Sequence, residues 1–411
     1  MPVQYEKNPI PGGGSFMKAP LEKLKSLVTS RFGDTRNVRF YTAPGRVNLI
    51  GEHTDCHGGY VLPCPISFGI AAALRKREDS RVRLYSENFP DLGTVECTLE
   101  DLRFLPEHGW ANYPKGVLRA FQDHEYPLSS GFEALFWGDL PSGAGLSSSA
   151  SLEVLTGLML KDLFGLSLEG LDDMLSLAKL GQEAENRFMG VQSGIMDQCA
   201  IALGAPGHAL FLDCGTLEYR QIPVPLQDHV LCILDSRKRR ELVTSEYNRR
   251  REECAQALKE LQRWGSWQAL GEISPEEFAF HAPHLSDPLL RRRARHVILE
   301  NHRTREAAQV LESGNLETFG KLMNRSHLSL QFDYEVSCRE LDCLVECCWQ
   351  HYACLGARMT GAGFGGCVVA LVEKEGASAF EEEVSLEYAR HMERECRIYR
   401  VSIPGGARRL S

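Results

Sequence analysis

Apolar positions recur with two different periods along this chain, and each period predicts an element. Leu21, Leu24, Leu27 and Val28 fall at helical spacing and predict a helix over 16–32. Short strand-like pieces then alternate with turns: VRFYTA, GYVLPCPI, IAAAL and RVRLYS. A helix is expected after WANYPKG, carrying Val117 to Phe121, followed by a strand in GFEALFWGDL. Leu152, Leu155 and Met159 form one stripe, widened by Leu158 and Leu163, and predict a helix opening near Ser149. Residues 171–188 read as a further helix, ahead of GVQSGIMDQCAIAL. HALFLDC, EYRQIPV and HVLCILDS read as strands, 241–326 as mostly helical, and 341–354 as helical again. CVVALVEK, a helix over 380–396 and RIYRVSI close the pattern. This alternation predicts mixed α and β structure in two lobes, over 1–215 and 216–411.

Bulk properties narrow the class. The chain has 411 residues, 46 basic and 55 acidic, for a net charge of −9. That balance argues against a dedicated nucleic-acid partner. No stretch approaches 18 uninterrupted apolar residues, so no membrane partner is expected, and the start lacks a secretory apolar segment. The 14 cysteines include no CxxC pair. They read as small buried thiols of a cytoplasmic protein, even where Cys338, Cys343, Cys347, Cys348 and Cys354 cluster. Basic runs at 249–251 and 291–295 read as solvated helix faces, whereas that at 237–240 stays open between a phosphate-bearing ligand and solvent.

Candidate chemistry lies in four stretches. GAGLSSSA, from Gly143 to Ala150, can turn backbone N–H groups toward an anion at a helix start. A capped helix alone does not explain three consecutive serines behind two glycines. GAGFGG, from Gly361 to Gly366, matches a dinucleotide fingerprint, yet it follows a helix and opens a strand. That inverted context excludes dinucleotide binding. GRVNLIGEHTDCHGGYVLP sets Arg46, Glu52, His53 and Asp55 within ten residues. Such convergence suits a hydroxylated substrate, or equally a polar turn with internal salt bridges. In GIMDQ, Asp197 stands among apolar residues, as a helix cap or as a catalytic group. Glu185 reads as a surface charge or a metal ligand. A carboxylate base, an arginine, a cation held by Ser and Glu, and a glycine phosphate loop together make a phosphotransferase set.

GRVNLIGEHTD, LPSGAGLSSSASLEV and MTGAGFGGC, in that order, resemble the GHMP small-molecule kinases, and the first is specific to their galactokinase branch. WANYPKG, AENRFMGVQSGIMDQ, SEYNRRREEC and DYEVSCRELD agree, so the resemblance spans roughly residues 38–370. It implies a two-lobed α+β GHMP kinase fold with the active site in the cleft between the lobes. It also implies ATP-dependent phosphorylation of galactose at the C1 hydroxyl, with Mg²⁺, by a monomer. By the same resemblance Asp197 is the proton acceptor and Arg46 stabilises the transition state. Glu52, His53, Thr54, Asp55, Gly194 and Tyr247 would bind the sugar. Gly143, Ala144, Gly145, Leu146, Ser147, Ser148 and Ser149 would wrap the ATP phosphates, with Ser86 and Trp110 on the nucleotide. Ser149 and Glu185 would hold Mg²⁺. Cys56 and His57 stand where the family usually has Tyr-Asn. That departure keeps a related amino sugar or uronic acid in view. A non-catalytic sugar and ATP sensor is the third alternative.

Overall fold

The structure is a computed structural model that describes residues 18–141, 145–170, 172–239 and 243–410. Helix α1 (Lys18–Phe32) leads into strands β1 (Val38–Asn48), β2 (Tyr60–Val61), β3 (Pro63–Lys76), β4 (Arg81–Ser86) and β5 (Val95–Thr98). Helix α2 (Asn112–Asp123), strand β6 (Phe132–Gly138) and helices α3 (Ser148–Phe164), α4 (Asp173–Glu183) and α5 (Met196–Leu203) follow. Next come strands β7 (His208–Asp213), β8 (Tyr219–Pro223) and β9 (His229–Asp235). A helical stretch holds α6 (Val243–Leu261), α7 (Pro275–His281), α8 (Pro288–Glu312), α9 (Leu316–Ser329) and α10 (Arg339–Gln350). Strands β10 (Cys354–Thr360) and β11 (Cys367–Glu373), helix α11 (Ala377–Met392), and strands β12 (Arg397–Val401) and β13 (Arg408–Arg409) complete the chain.

The N-lobe sheet runs β13-β1-β3-β6-β4-β5, with β4 and β6 parallel and its other pairs antiparallel. Period-two alternation sorts its side chains to two faces. Tyr41, Ala43, Ala72, Leu74, Ala134 and Phe136 face α2, α3 and α4. Phe40, Ala71, Ala73 and Leu135 face the other way, onto Leu24 and Val28 of α1. Both faces are therefore covered, which is why β1 is buried along nearly all its length.

The C-lobe sheet runs β10-β11-β9-β12. One face, with Cys232, Leu234, Val368 and Ala370, packs under the C-lobe helices. The opposite face, with Leu231, Ile233, Val369 and Leu371, meets Val47, Leu49, Leu62 and Cys64 of the N lobe in a shared core. This inter-lobe core fixes the end of β1 against β10, and the site forms there.

Four differences from the sequence pattern have physical causes. IAAAL and the end of GYVLPCPI form one 14-residue strand, β3, because Gly69 lets the chain pass the Ala43 carbonyl where a Cβ would collide. The sequence pattern assigns no strand between the helix predicted over 341–354 and GAGFGG, because Arg358 interrupts the apolar run; β10 stands there, so GAGFGG follows a strand and not a helix. The helix predicted over 171–188 is α4 followed by a π-turn, Ala184–Phe188, and α5 begins beyond it. The basic runs are not simply solvated faces. Arg250 and Arg293 are buried, at 4% and 0% exposure. Arg250 donates to the carbonyls of Tyr334 and Glu335, and Arg293 donates to the Asp333 carbonyl and to Glu253 and Glu335. Together they clamp the turn that presents Tyr334.

Candidate active site

Arg46 leaves β1 pointing into the cleft, and Asp197 stands in the first turn of α5. The guanidinium grips both carboxylate oxygens, with Nε 2.7 Å from Oδ1 and Nη2 2.6 Å from Oδ2. Its third arm, Nη1, donates to the Gly145 carbonyl at 2.9 Å. This bidentate fork fixes the aspartate in orientation as well as position. Ser147 donates its hydroxyl to the Oδ2 of Asp197.

That bond explains the serine run. Ser147 is the N-cap residue of α3 and sits at φ 60°, ψ 48°. Its hydroxyl turns to Asp197 and makes no capping bond to the helix. The first turn of α3, from Ser148 and Ser149 onward, therefore has no side-chain cap from its N-cap residue. An uncapped helix start carries partial positive charge suited to phosphate. Gly145 and Leu146 lead into it, whereas Gly143 and Ala144 lie outside the described residues.

A cavity of about 160 Å³ opens beside the pair. It is lined by Arg46, Glu52, His53, Asp55, Gly194, Asp197 and Tyr247, with Ser193, Asn248, Gly361 and Ala362 among the remainder. Glu52 accepts from Arg358 at 2.7 Å and from the Gly361 N–H at 2.8 Å. His53 takes a left-handed φ of 62° and packs its ring on Tyr334 and Tyr247. Burial holds the His53 imidazole well below its usual range, so it stays neutral. Burial, then the charge of Asp197, pushes the Asp55 carboxyl up. Gly194 is required by sterics, because a Cβ there would run into the Asp55 carboxylate. Cys56 sits behind this wall, 3.8 Å from the Tyr247 hydroxyl. Burial and the Asp55 charge push its thiol up to about 12.

A second group of carboxylates lies behind Asp197. Glu185, from the π-turn, accepts from Ser193 at 2.6 Å, from Gln198 at 3.0 Å and from the Ser149 hydroxyl. Gln198 also donates to Glu153 on α3 at 2.9 Å. Burial raises both carboxyls, Glu153 the more strongly, with the charge of Glu185 adding to it. Glu153 Oε1 and Gln198 Oε1 are buried without a hydrogen-bond partner among the described residues. Ser149 and Glu185 offer oxygen donors of the kind Mg²⁺ takes, and the orphaned oxygens beside them show a local excess of acceptors. The donor set fits a hard divalent cation.

Three expected residues stand elsewhere. Thr54 does not line the cavity: it is fully buried, and its hydroxyl donates to the carbonyls of Gly51 and Tyr60, closing the turn after β1. Ser86 and Trp110 are neighbours on the N-lobe flank. Ser86 pairs in register with Phe136, and Trp110 packs edge-on to the same ring at 5.4 Å. A larger cavity of about 800 Å³ at the far end of the sheet, lined by Arg39, Arg75 and Arg77, contains none of these residues, and its arginines are paired to carboxylates. The sequence pattern did not single out Arg358, Gln198, Glu153 or Asn248. A charge inside a strand and an amide beside Asp197 were the signals available.

A six-stranded and a four-stranded sheet joined by a shared core, with a phosphate-type helix start facing an Arg–Asp pair, define a GHMP small-molecule kinase. The family model described as GHMP kinases N terminal domain matches residues 112–205, and that for the GHMP kinases C terminal region matches 307–390. The galactokinase galactose-binding signature matches residues 29–76. The galactokinase of Clostridium beijerinckii is 47% identical over 387 residues, 94% of this chain and 98% of its own. That of Bacillus subtilis is 45% identical over 389 residues, 95% of this chain and 99% of its own. The solved structure of Lactococcus lactis galactokinase complexed with galactose superposes with a TM-score of 0.91 at 45% identity, covering 95% of this chain and 100% of that one. A mevalonate kinase structure, at 20% identity and TM-score 0.62, shares the fold. This chain belongs to the galactokinase family.

Proposed function

We propose that this chain transfers the γ-phosphoryl group of ATP to the C1 hydroxyl of galactose, giving galactose 1-phosphate and ADP. The observation that carries the reading is the Arg46–Asp197 pair, set between the polar cavity and the start of α3. The sugar occupies the cavity, and the triphosphate lies along the uncapped α3 turn. Ser86 and Trp110 flank the nucleotide.

Asp197 is the proton acceptor. Among the described residues its Oδ2 accepts from both Arg46 and Ser147, whereas Oδ1 accepts only from Arg46. Oδ1 therefore keeps acceptor capacity and receives the proton of the C1 hydroxyl. That hydroxyl oxygen forms the new P–O bond as the bond to the ADP oxygen breaks. Arg46 offsets negative charge that grows on the transferring group, which is where preorganised positive charge acts most strongly. Ser149 and Glu185 are the residues that would hold Mg²⁺, and the ion, when bound, neutralises charge on the phosphates.

A related amino sugar or uronic acid is favoured only by Cys56, where a smaller side chain meets Tyr247. The test is ADP release from MgATP across galactose, galactosamine, galacturonate, glucose, arabinose and N-acetylgalactosamine. Strong turnover on galactose is expected. Preference for a charged sugar would transfer the reading to that sugar. Silence on every sugar, from folded protein that binds ATP, would overturn kinase activity.

A further inference from the structure

The side chains lining the sugar cavity divide by what they already bond. Arg46 and Asp197 are bound to each other, and Glu52 is bound to Arg358 and Gly361. Ser193 donates to Glu185, and Tyr247 donates to Cys56. Among the described residues, His53 Nε2 is buried without a partner, and the Asp55 carboxylate takes a backbone N–H from Cys56. Both belong to the stretch from Glu52 to Asp55. One further polar side chain lines the cavity and has no hydrogen-bond partner among the described residues. It is Asn248, from the C lobe.

Its placement is built. Asn248 stands on α6, half-buried, directly after Tyr247. Three residues on, Arg251 donates to the Gln192 carbonyl at 2.6 Å, which ties α6 to the loop holding Val191, Ser193 and Gly194 on the same cavity. Arg250 anchors the next turn to the carbonyls of Tyr334 and Glu335, both at 2.7 Å. The helix turn that carries Asn248 is therefore fixed before any sugar arrives, which limits the ordering cost to the side chain itself. A primary amide offers a donor and an acceptor together, which complements a hydroxyl. An ammonium or a carboxylate at the same place would leave half of the amide unmatched.

We propose that Asn248 is a specificity-determining sugar contact, whose amide reads one hydroxyl from the C-lobe side of the cavity. It extends the galactokinase reading above and rests on it. His53 and Asp55 take hydroxyls from the N-lobe side, so the sugar is recognised across the cleft. Asn248 favours a neutral hydroxyl over a charged substituent at the position it reads.

The experiment sets wild type, Asn248→Ala and Asn248→Asp against galactose and its 2-, 3-, 4- and 6-deoxy analogues, with KM and kcat for each. Loss of one neutral hydrogen bond should raise KM for galactose about three- to tenfold, with kcat within about twofold. For one deoxy analogue, the one lacking the hydroxyl that Asn248 reads, wild type and Asn248→Ala should share the same KM. Asn248→Asp, close in shape, should show its penalty with the same analogue pattern. An unchanged galactose KM in both variants, or an equal rise for galactose and all four analogues, would overturn the contact. A silent wild type would refute the galactokinase reading and take this contact with it, whereas an active wild type with indifferent variants removes Asn248 alone.

Discussion

Glu52 and Arg358 form an ion pair at 2.7 Å across the two lobes, with side-chain exposures of 2% and 0%. Glu52 follows the N-lobe strand β1, and Arg358 lies within the C-lobe strand β10. The same guanidinium donates to the Asn48 carbonyl, and the same carboxylate takes the Gly361 N–H. A carboxylate that lines the cavity is thereby held from the opposite lobe. Arg358→Met would leave Glu52 buried and uncompensated, a loss of about 3–5 kcal/mol in unfolding free energy. Urea denaturation checks the stability. Activity assays on the folded fraction should show galactose KM rising more than ATP KM, and equal rises would detach Arg358 from the sugar pocket.

Asp197→Asn should lower turnover by about 10²–10⁴-fold, the range of a lost general base. The amide oxygen can still accept one arm of Arg46, while its NH2 meets the other guanidinium N–H, so the fork drops to a single bond without a change of side-chain size. ATP affinity, measured by titration calorimetry, should stay within a few-fold of wild type. Near-normal turnover in this variant would remove Asp197 from the chemistry.

Period and motif reveal unequal shares of this molecule. The helical stripe of α3 is visible because Leu155 and Met159 are simply apolar and buried. Arg46, Asp197 and Glu185 stand out because glycine and hydroxyl residues surround polar groups within apolar runs. Arg358 and Arg293 do not, since a buried arginine looks like a solvated one until its partners are known. Those partners come from far along the chain: Arg358 reaches back 306 residues to Glu52, while Arg293 reaches 40 residues to Glu253. Thr54 misleads in the opposite sense. It lies within the same short motif as its cavity-lining neighbours, yet the turn directs its hydroxyl to Gly51 and Tyr60.

Cys56 is the departure most open to a chemical test. Its thiol, pushed up to about 12, is almost wholly protonated near neutral pH. Ellman's reagent should leave Cys56 unmodified in the native protein, as read by peptide mass spectrometry. Activity should survive the treatment at the level of the Cys56→Ser variant similarly treated. Rapid labelling of Cys56, with loss of activity, would contradict a thiol raised this far.

Glu185→Ala should raise the Mg²⁺ concentration needed for half-maximal turnover about tenfold or more, as loss of a ligating carboxylate does. Glu185→Gln should fall between, since it keeps an oxygen donor without the charge. Metal binding read by Mn²⁺ paramagnetic relaxation in the presence of ATP gives a readout independent of turnover. An unchanged metal requirement in both variants would make Glu185 structural, a partner for Ser193 and Gln198 only.

Acid stability should depend on buried histidines, of which His296, like His53, is one. His296 sits between the Glu52 carbonyl at 3.1 Å and the Ser329 hydroxyl at 2.9 Å, fully buried. Burial pulls its imidazole from 6.5 down to about 4 in the fold. Between those values the unfolded chain binds a proton that the native state does not, so stability falls as pH falls through that window. The full effect is about 3 kcal/mol, with about 2 kcal/mol of it lost between pH 7 and pH 5. Glu300, beside it, responds lower: burial opposes its charge, but Arg303, His296 and Arg358 hold its carboxyl at about 2. Its contribution is complete above the ordinary glutamate value of 4.5 and disappears as pH drops toward 2. Urea unfolding of wild type and His296→Gln at pH 7, 6 and 5 separates the two. The variant should show a flatter slope than wild type over this range. Identical slopes would mean that His296 is protonated in the native state, and that its environment is wetter than the packing against Tyr334 implies.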